Sequence, residues 1–159
     1  MFRLKKSPLP ILTLTLGVVL LVGALTGCGS GDSETSSLTK AQFIRRANAV
    51  CVKNTPQDIV GPIDDYIHQH GGSGKDKEEL TADAVQQTML PHFQAQVDEI
   101  RALGAPEGDK RQVERFLNSM QQAIDSLSQS EKISLLTDID EAFTRAKLSA
   151  QSLELTSCL

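Results

Sequence analysis

Three cysteines and three histidines carry most of the chemistry open to this chain's side chains. A thiol can be alkylated, oxidised to a disulfide or bound to a metal; an imidazole can bind metal or move a proton. Cys28 closes the stretch Leu25-Thr26-Gly27-Cys28, in which an aliphatic residue and two small ones precede the thiol. Small residues let an extended backbone enter a protease groove, and a thiol is nucleophilic enough to be alkylated. Cys51 and Cys158 stand apart from it, with 106 residues between them. In an oxidising compartment a leftover pair of this kind forms a disulfide. Closing so long a loop is worth on the order of 4–5 kcal/mol, less any strain. Two separate buried thiols are the competing reading. Zinc is a weaker one, because a closed site wants four ligands.

The histidines offer less. His68-Gln69-His70 places two imidazoles beside Asp64 and Asp65. On a helix, positions i and i+2 point apart and share a metal poorly, whereas Asp64 and His68 at i,i+4 can pair. A solvated helix end before the Gly71-Gly72-Ser73-Gly74 loop is the simpler reading. His92 follows Pro91, and acid–base work there would need a partner carboxylate and a pocket. No serine lies in Gly-x-Ser-x-Gly, and the glycine loop lacks the following Lys-Ser/Thr and preceding strand of a phosphate loop. Asp138, Asp140 and Glu141 read as a helix start, where carboxylates complement the dipole, rather than as a calcium loop, which needs a sharp glycine turn. Gln86, Gln87, Gln94, Gln96, Gln121 and Gln122 are expected on helix surfaces, with a partner interface as the weaker alternative. The expectation is of a non-enzymatic chain with no catalytic residue, metal site or cofactor.

The context of Cys28 gives it a specific role. Arg3, Lys5 and Lys6 make a basic start, and Leu9 to Leu25 follow without a charge. That order of basic end, apolar run and small residues is that of an export signal. Leu25-Thr26-Gly27-Cys28 at its close resembles the lipobox of bacterial lipoproteins. The resemblance implies a diacylglycerol thioether on Cys28, cleavage between Gly27 and Cys28, and an N-acyl chain as a further option. Residues 1–27 would then be a signal peptide, and the protein would be lipid-anchored on the extracytoplasmic face of the cell membrane. A permanent span or an ordinary cleaved signal competes, since the apolar run is long. The cysteine at its end and the polar stretch directly after it favour the lipid anchor. Two acyl chains suffice for stable anchoring at ~0.8 kcal/mol per buried CH2.

Removing 27 of the 159 residues leaves 132, enough for one domain with a real core. Taking Arg3, Lys5 and Lys6 from the 16 basic residues leaves 13 against 20 acidic ones, a net charge of −7. Such a chain is a poor partner for nucleic acid or for anionic headgroups. With no Trp and a single Tyr it has little to stack on sugars. Residues 28–37 would then be the lipidated cysteine and a Gly/Ser tether whose last nine residues reach roughly 15–18 Å.

Residues 38–159 read as an all-α domain, a small bundle of four to five helices. Thr39 and Gln42 form a capping-box pattern flanked by Leu38 and Phe43 as a hydrophobic staple. The helix behind them turns Phe43, Ala47, Val50 and Cys51 to one side. Thr55-Pro56 can restart a helix, and Gly61-Pro62 interrupts it, leaving a short helix over 62–70. A long helix covers about 78–103, with Leu90, Phe93, Val97, Ile100 and Leu103 on one face; Pro91 must kink or divide it. Helices over about 109–128 and 138–155 follow, the first presenting Val113, Leu117, Met120, Ile124 and Leu127. The second presents Ile139, Phe143, Ala146, Ala150 and Leu153. No segment alternates with period two. A Cys51–Cys158 bridge would pin the chain's end beside the first helix.

Leu38 to Ile44 running to Cys51, Leu90-Pro91, Val97 to Leu103, Ala105 to Asp109 and the closing cysteine together resemble a group of small exported actinobacterial proteins. That group is helical, with a cysteine near each end, many members standing behind a lipobox. The resemblance carries no catalytic or binding residue with it. Where the group's pattern runs Tyr-Gly-Leu before the last cysteine, this chain has Leu153-Glu154-Leu155. The functional expectation is a membrane-anchored module that binds an envelope protein or serves envelope upkeep. The alternative is a small apolar or lipid ligand held within the bundle.

Overall fold

The computed structural model describes residues 38–54 and 60–158. Cys28, the segment before it and the Thr55-Pro56 restart therefore lie outside the described residues. The described residues form one compact unit, and every regular element among them is helical.

Helix α1, Lys40–Asn54, starts where the capping pattern places it. The Thr39 N–H donates to Gln42 Oε1 at 3.0 Å, and the Gln42 N–H donates to Thr39 Oγ1 at 3.3 Å. Two of the N–H groups that a helix start leaves unpaired are thereby satisfied. Phe43, Ala47 and Cys51 are buried, while Val50 is half-buried. Helix α2, Val60–His70, runs through Gly61-Pro62 rather than beginning after it. Proline is tolerated there because the first turn has no use for its missing N–H.

The expected long helix is present, and just ahead of Pro91 its regular α-helical bonding gives way to a π turn. Helix α3, Lys77–Ala84, passes into a π-helical turn, Val85–Met89, and then into α4, Leu90–Leu103. The Leu90 N–H reaches back five residues to the Val85 carbonyl. The extra residue in that turn puts Pro91 at the start of α4, where its ring need not fit inside a regular ladder. α3, the π turn and α4 thus remain hydrogen-bonded in sequence as one long helix. Gly104, at φ 72°, ends it with a bond from its N–H to the Arg101 carbonyl, a backbone setting that favours glycine.

Helices α5, Lys110–Ser128, and α6, Thr137–Ser152, form the most extensive pair; α5 also packs on α4, α4 on α1, and α2 on α3. Each apolar residue expected on α5 is buried, joined by Phe116 and Ala123. On α6, Phe143, Ala146 and Ala150 are buried and Ile139 is half-buried, while Leu153, expected on the same helix, is buried just past its end at Ser152. Phe93 and Phe143 meet with ring centroids 4.6 Å apart. The loop between α5 and α6 is not idle. Ile133 is buried within it, and its N–H donates to the Glu78 carbonyl at 3.1 Å. Among the described residues no helix is long and apolar enough to cross a membrane.

Candidate functional site

Cys51 and Cys158 are joined in a disulfide, with their Cα atoms 4.8 Å apart. Both are buried. The local chain is shaped to bring them together. At the end of α6 the Glu154 N–H donates to the Gln151 carbonyl at 3.1 Å, and the Leu155 N–H donates to the Ala150 carbonyl at 3.0 Å. This is a Schellman turn, which reverses the chain after a helix. Glu154 takes its left-handed position at φ 61°, the only non-glycine residue with positive φ among the described residues. Leu153 and Leu155 are buried on either side of it. Asn48 of α1 then clamps the returning chain: its Nδ2 donates to the Glu154 carbonyl at 3.3 Å, and its Oδ1 accepts the Ser157 N–H at 2.9 Å.

The histidines are not drawn into any such assembly. His68, His70 and His92 are all exposed. His70 stacks on Tyr66 with centroids 4.1 Å apart, its Nδ1 lying 2.8 Å from the Tyr66 carbonyl oxygen. The i,i+4 contact of α2 is therefore Tyr66 with His70, and no bond joins Asp64 to His68. Among the described residues no three His, Cys, Asp or Glu side chains cluster as metal ligands would.

The glutamines divide among several tasks. Gln86, in the π turn, donates to the carbonyls of Leu127 at 3.3 Å and Ser130 at 3.0 Å, so it caps the end of α5 from a neighbouring helix. Gln94 and Gln121 exchange amide bonds of 3.1 and 3.4 Å between α4 and α5. Gln87 donates to the Tyr66 hydroxyl at 2.9 Å. Gln96, expected on the surface, lies in the interior. Its polar type conceals a position beside Val97 on the inner side of α4.

Ion pairs tie the remaining joints. Lys53 of α1 and Glu99 of α4 meet at 2.8 Å, and Asn54 donates to the same carboxylate at 3.3 Å. The Lys53 ammonium, then the Asn54 amide, hold the Glu99 carboxyl below its ordinary value. Asp76 closes a capping box with Glu79 at the start of α3 and also pairs with Lys132 from the α5–α6 loop. That pairing lowers the Asp76 carboxyl and raises the Lys132 ammonium. The spacing Asp-x-x-Glu ahead of an apolar stretch is a signal for such a box, whereas nothing in the residue types points from Asp76 to Lys132.

One concave surface stands out, along the α5–α6 pair. A groove of about 550 Å³ is bordered by Ser119, Gln122, Ser126, Asp138, Glu141 and Arg145. A second of about 420 Å³ shares Ser119, Gln122 and Arg145 with it and adds Arg115, Asn118 and the exposed Leu148. Together they make a trough of hydroxyls, amides and charges of both signs, with Ala123, Leu127, Ala142 and Leu148 as apolar lining among them. Such a lining can hydrogen-bond a polypeptide. No protein-family model, curated protein or solved structure matches the chain. The reading of its role therefore stands on its own residues.

Proposed function

We propose that the chain is the precursor of an extracytoplasmic lipoprotein, held in the cell membrane by diacylglycerol on Cys28, whose helical domain binds an envelope protein without catalysing a reaction. The observation that carries the reading is the fate of the three cysteines. Cys51 and Cys158 are paired with each other, which leaves Cys28 as the one remaining thiol, placed where an uncharged apolar run ends in Leu25-Thr26-Gly27. A disulfide also suits an exported domain, since reducing cytosol does not maintain such bonds.

A protein partner is favoured over an apolar ligand held within the bundle. Phe43, Phe116, Ile100, Met120 and Leu153 fill the interior as one cluster, whereas the concave trough on α5 and α6 is a surface groove that mixes polar and charged groups with Ala123, Leu127, Ala142 and Leu148. The anchor is tested by Cys28→Ser. The variant should lose label from radioactive palmitate, retain residues 1–27 by intact mass, and leave the membrane fraction on alkaline washing. A Cys28→Ser protein that matures and fractionates like the wild type sinks the anchor. The partner is tested by crosslinking from a photoreactive residue at Leu148 in intact cells: one discrete adduct is expected, and its absence at Leu148 and at Gln122 would remove the trough from consideration.

A further inference from the structure

The net charge of −7 argues against adhesion to anionic headgroups, but the charge is not evenly spread. Helix α1 carries Lys40, Arg45, Arg46 and Lys53 and, alone among the described α-helices, no carboxylate. Its inner side buries Phe43, Ala47 and Cys51. Its outer side exposes Gln42, Arg45, Arg46, Ala49, Val52 and Lys53. Val52, at 67 % exposure, is one of the most exposed large apolar side chains described. Lys53 is paired with Glu99 and Lys40 with Glu154 at 3.4 Å. Arg45 and Arg46 enter no ion pair with another described residue. A guanidinium presents a fork of donors suited to phosphate oxygens.

We propose that this outer face of α1 docks on the anionic phospholipid surface, with Arg45 and Arg46 on the headgroup phosphates and Val52 against the interface. The inference rests on the lipid anchor proposed above, because the anchor supplies what two free cations lack. Only nine residues separate Cys28 from Leu38, at most about 35 Å of chain, so α1 is the helix whose start is held closest to the bilayer by covalent length. Surface attraction acts within a Debye length of about 8–10 Å. A tethered chain visits that layer continually, and the two arginines need only orient the domain rather than recruit it. The acidic remainder of the domain is repelled by the same surface, which favours a single orientation with α1 inward.

The test holds the chain at a bilayer whether or not cells lipidate it. The protein from Cys28 onward, its disulfide intact, is coupled through Cys28 to maleimide lipid in vesicles; Cys51 and Cys158 are joined and buried and do not compete. Acylation of lysines by a membrane-impermeant reagent is then read by mass spectrometry. On vesicles containing phosphatidylglycerol at low salt, Lys53 should react more slowly than on phosphatidylcholine, by on the order of threefold to tenfold, with Lys110 and Lys147 unchanged. Arg45→Gln/Arg46→Gln, or high salt, should abolish the difference while leaving the helical circular dichroism intact. Equal Lys53 rates on the two vesicle types, protection that survives in the double variant, or protection shared by Lys110 and Lys147 would each overturn the docking. The Cys28→Ser fractionation fails or succeeds separately from this footprint, so the two readings are distinguished.

Discussion

Asn48 on α1 grips the backbone of Glu154, 106 residues further along, through a 3.3 Å bond from its Nδ2 to the Glu154 carbonyl. The same side chain accepts the Ser157 N–H at 2.9 Å, so one amide fixes both flanks of the turn that delivers Cys158. Asn48→Ala removes both bonds and leaves a partly buried N–H unsatisfied. The expected loss of stability is about 1–3 kcal/mol, read as a lower midpoint in urea with an unchanged slope. An unchanged midpoint would mean that the disulfide and the Schellman bonds hold the turn without Asn48.

Glu154 carries a conformational cost that glycine would not. A side chain in the left-handed region crowds the following carbonyl by roughly 1–2 kcal/mol, and Glu154 is held there by the Schellman bonds at φ 61°. Its exposed pairing with Lys40 at 3.4 Å returns little. Glu154→Gly should therefore raise stability by about 0.5–1 kcal/mol, the gain reduced by glycine's greater freedom in the unfolded chain. Thermal unfolding at fixed salt checks it. Glu154→Ala, which loses the same ion pair but keeps the crowding, should not rise with it.

Helical period makes most of this fold legible, and its failures share a cause. Val113, Leu117, Met120, Ile124 and Leu127 recur at three and four residues, and all are buried as that spacing requires. Ile133 and Leu155 are also buried, but they lie in a loop and a turn, where no period marks an inner face. Pro91 announces a break, whereas the π turn that absorbs it depends on backbone bonding that no residue type signals. Gly61-Pro62 reads as punctuation, yet α2 runs through it, because a proline in a first turn is harmless. The turn at Glu154 is unmarked by this chain's own residue types for the opposite reason: a glutamate stands where glycine would have signalled it. The site residues split in the same way. The Cys51–Cys158 pairing follows from counting thiols once export is proposed for the chain, whereas the trough on α5 and α6 arises from how two helices pack and has no signature in either one.

The disulfide spans 107 positions in sequence, so its loss releases most of the domain in the unfolded state. Cys51→Ala/Cys158→Ala should cost about 2–5 kcal/mol, enough to consume much of a small domain's stability. Unfolding of the oxidised and reduced wild type in parallel separates the crosslink from the side chains. If reduction costs as much as the double substitution, the effect is the crosslink. A larger cost in the double variant would expose the packing lost at two buried positions.

Acid should loosen the joint between the α5–α6 loop and α3. The Lys132 ammonium, then the Glu79 backbone N–H, hold the folded Asp76 carboxyl below its ordinary 3.8. A depressed carboxyl lends stability that is present above the unfolded value and is lost as pH falls through the folded one. Glu99, held below 4.5 by Lys53 and Asn54, adds to the same limb. Lys75 and Lys132, raised above 10.5 chiefly by Asp83 and Asp76, act at the other end: their contribution is full below that value and disappears as pH rises through the higher folded one. Stability should accordingly be level across neutral pH and fall below about pH 4. Asp76→Asn keeps an N-cap of equal quality while abolishing the titration. Its acid limb should be shallower than the wild type's, and because the pair is solvent-exposed the difference should shrink in high salt. Parallel limbs for the two proteins between about pH 5 and 2 would show that Asp76 titrates alike in the folded and unfolded chain, and the Lys132 pairing would then contribute nothing to holding the loop on α3.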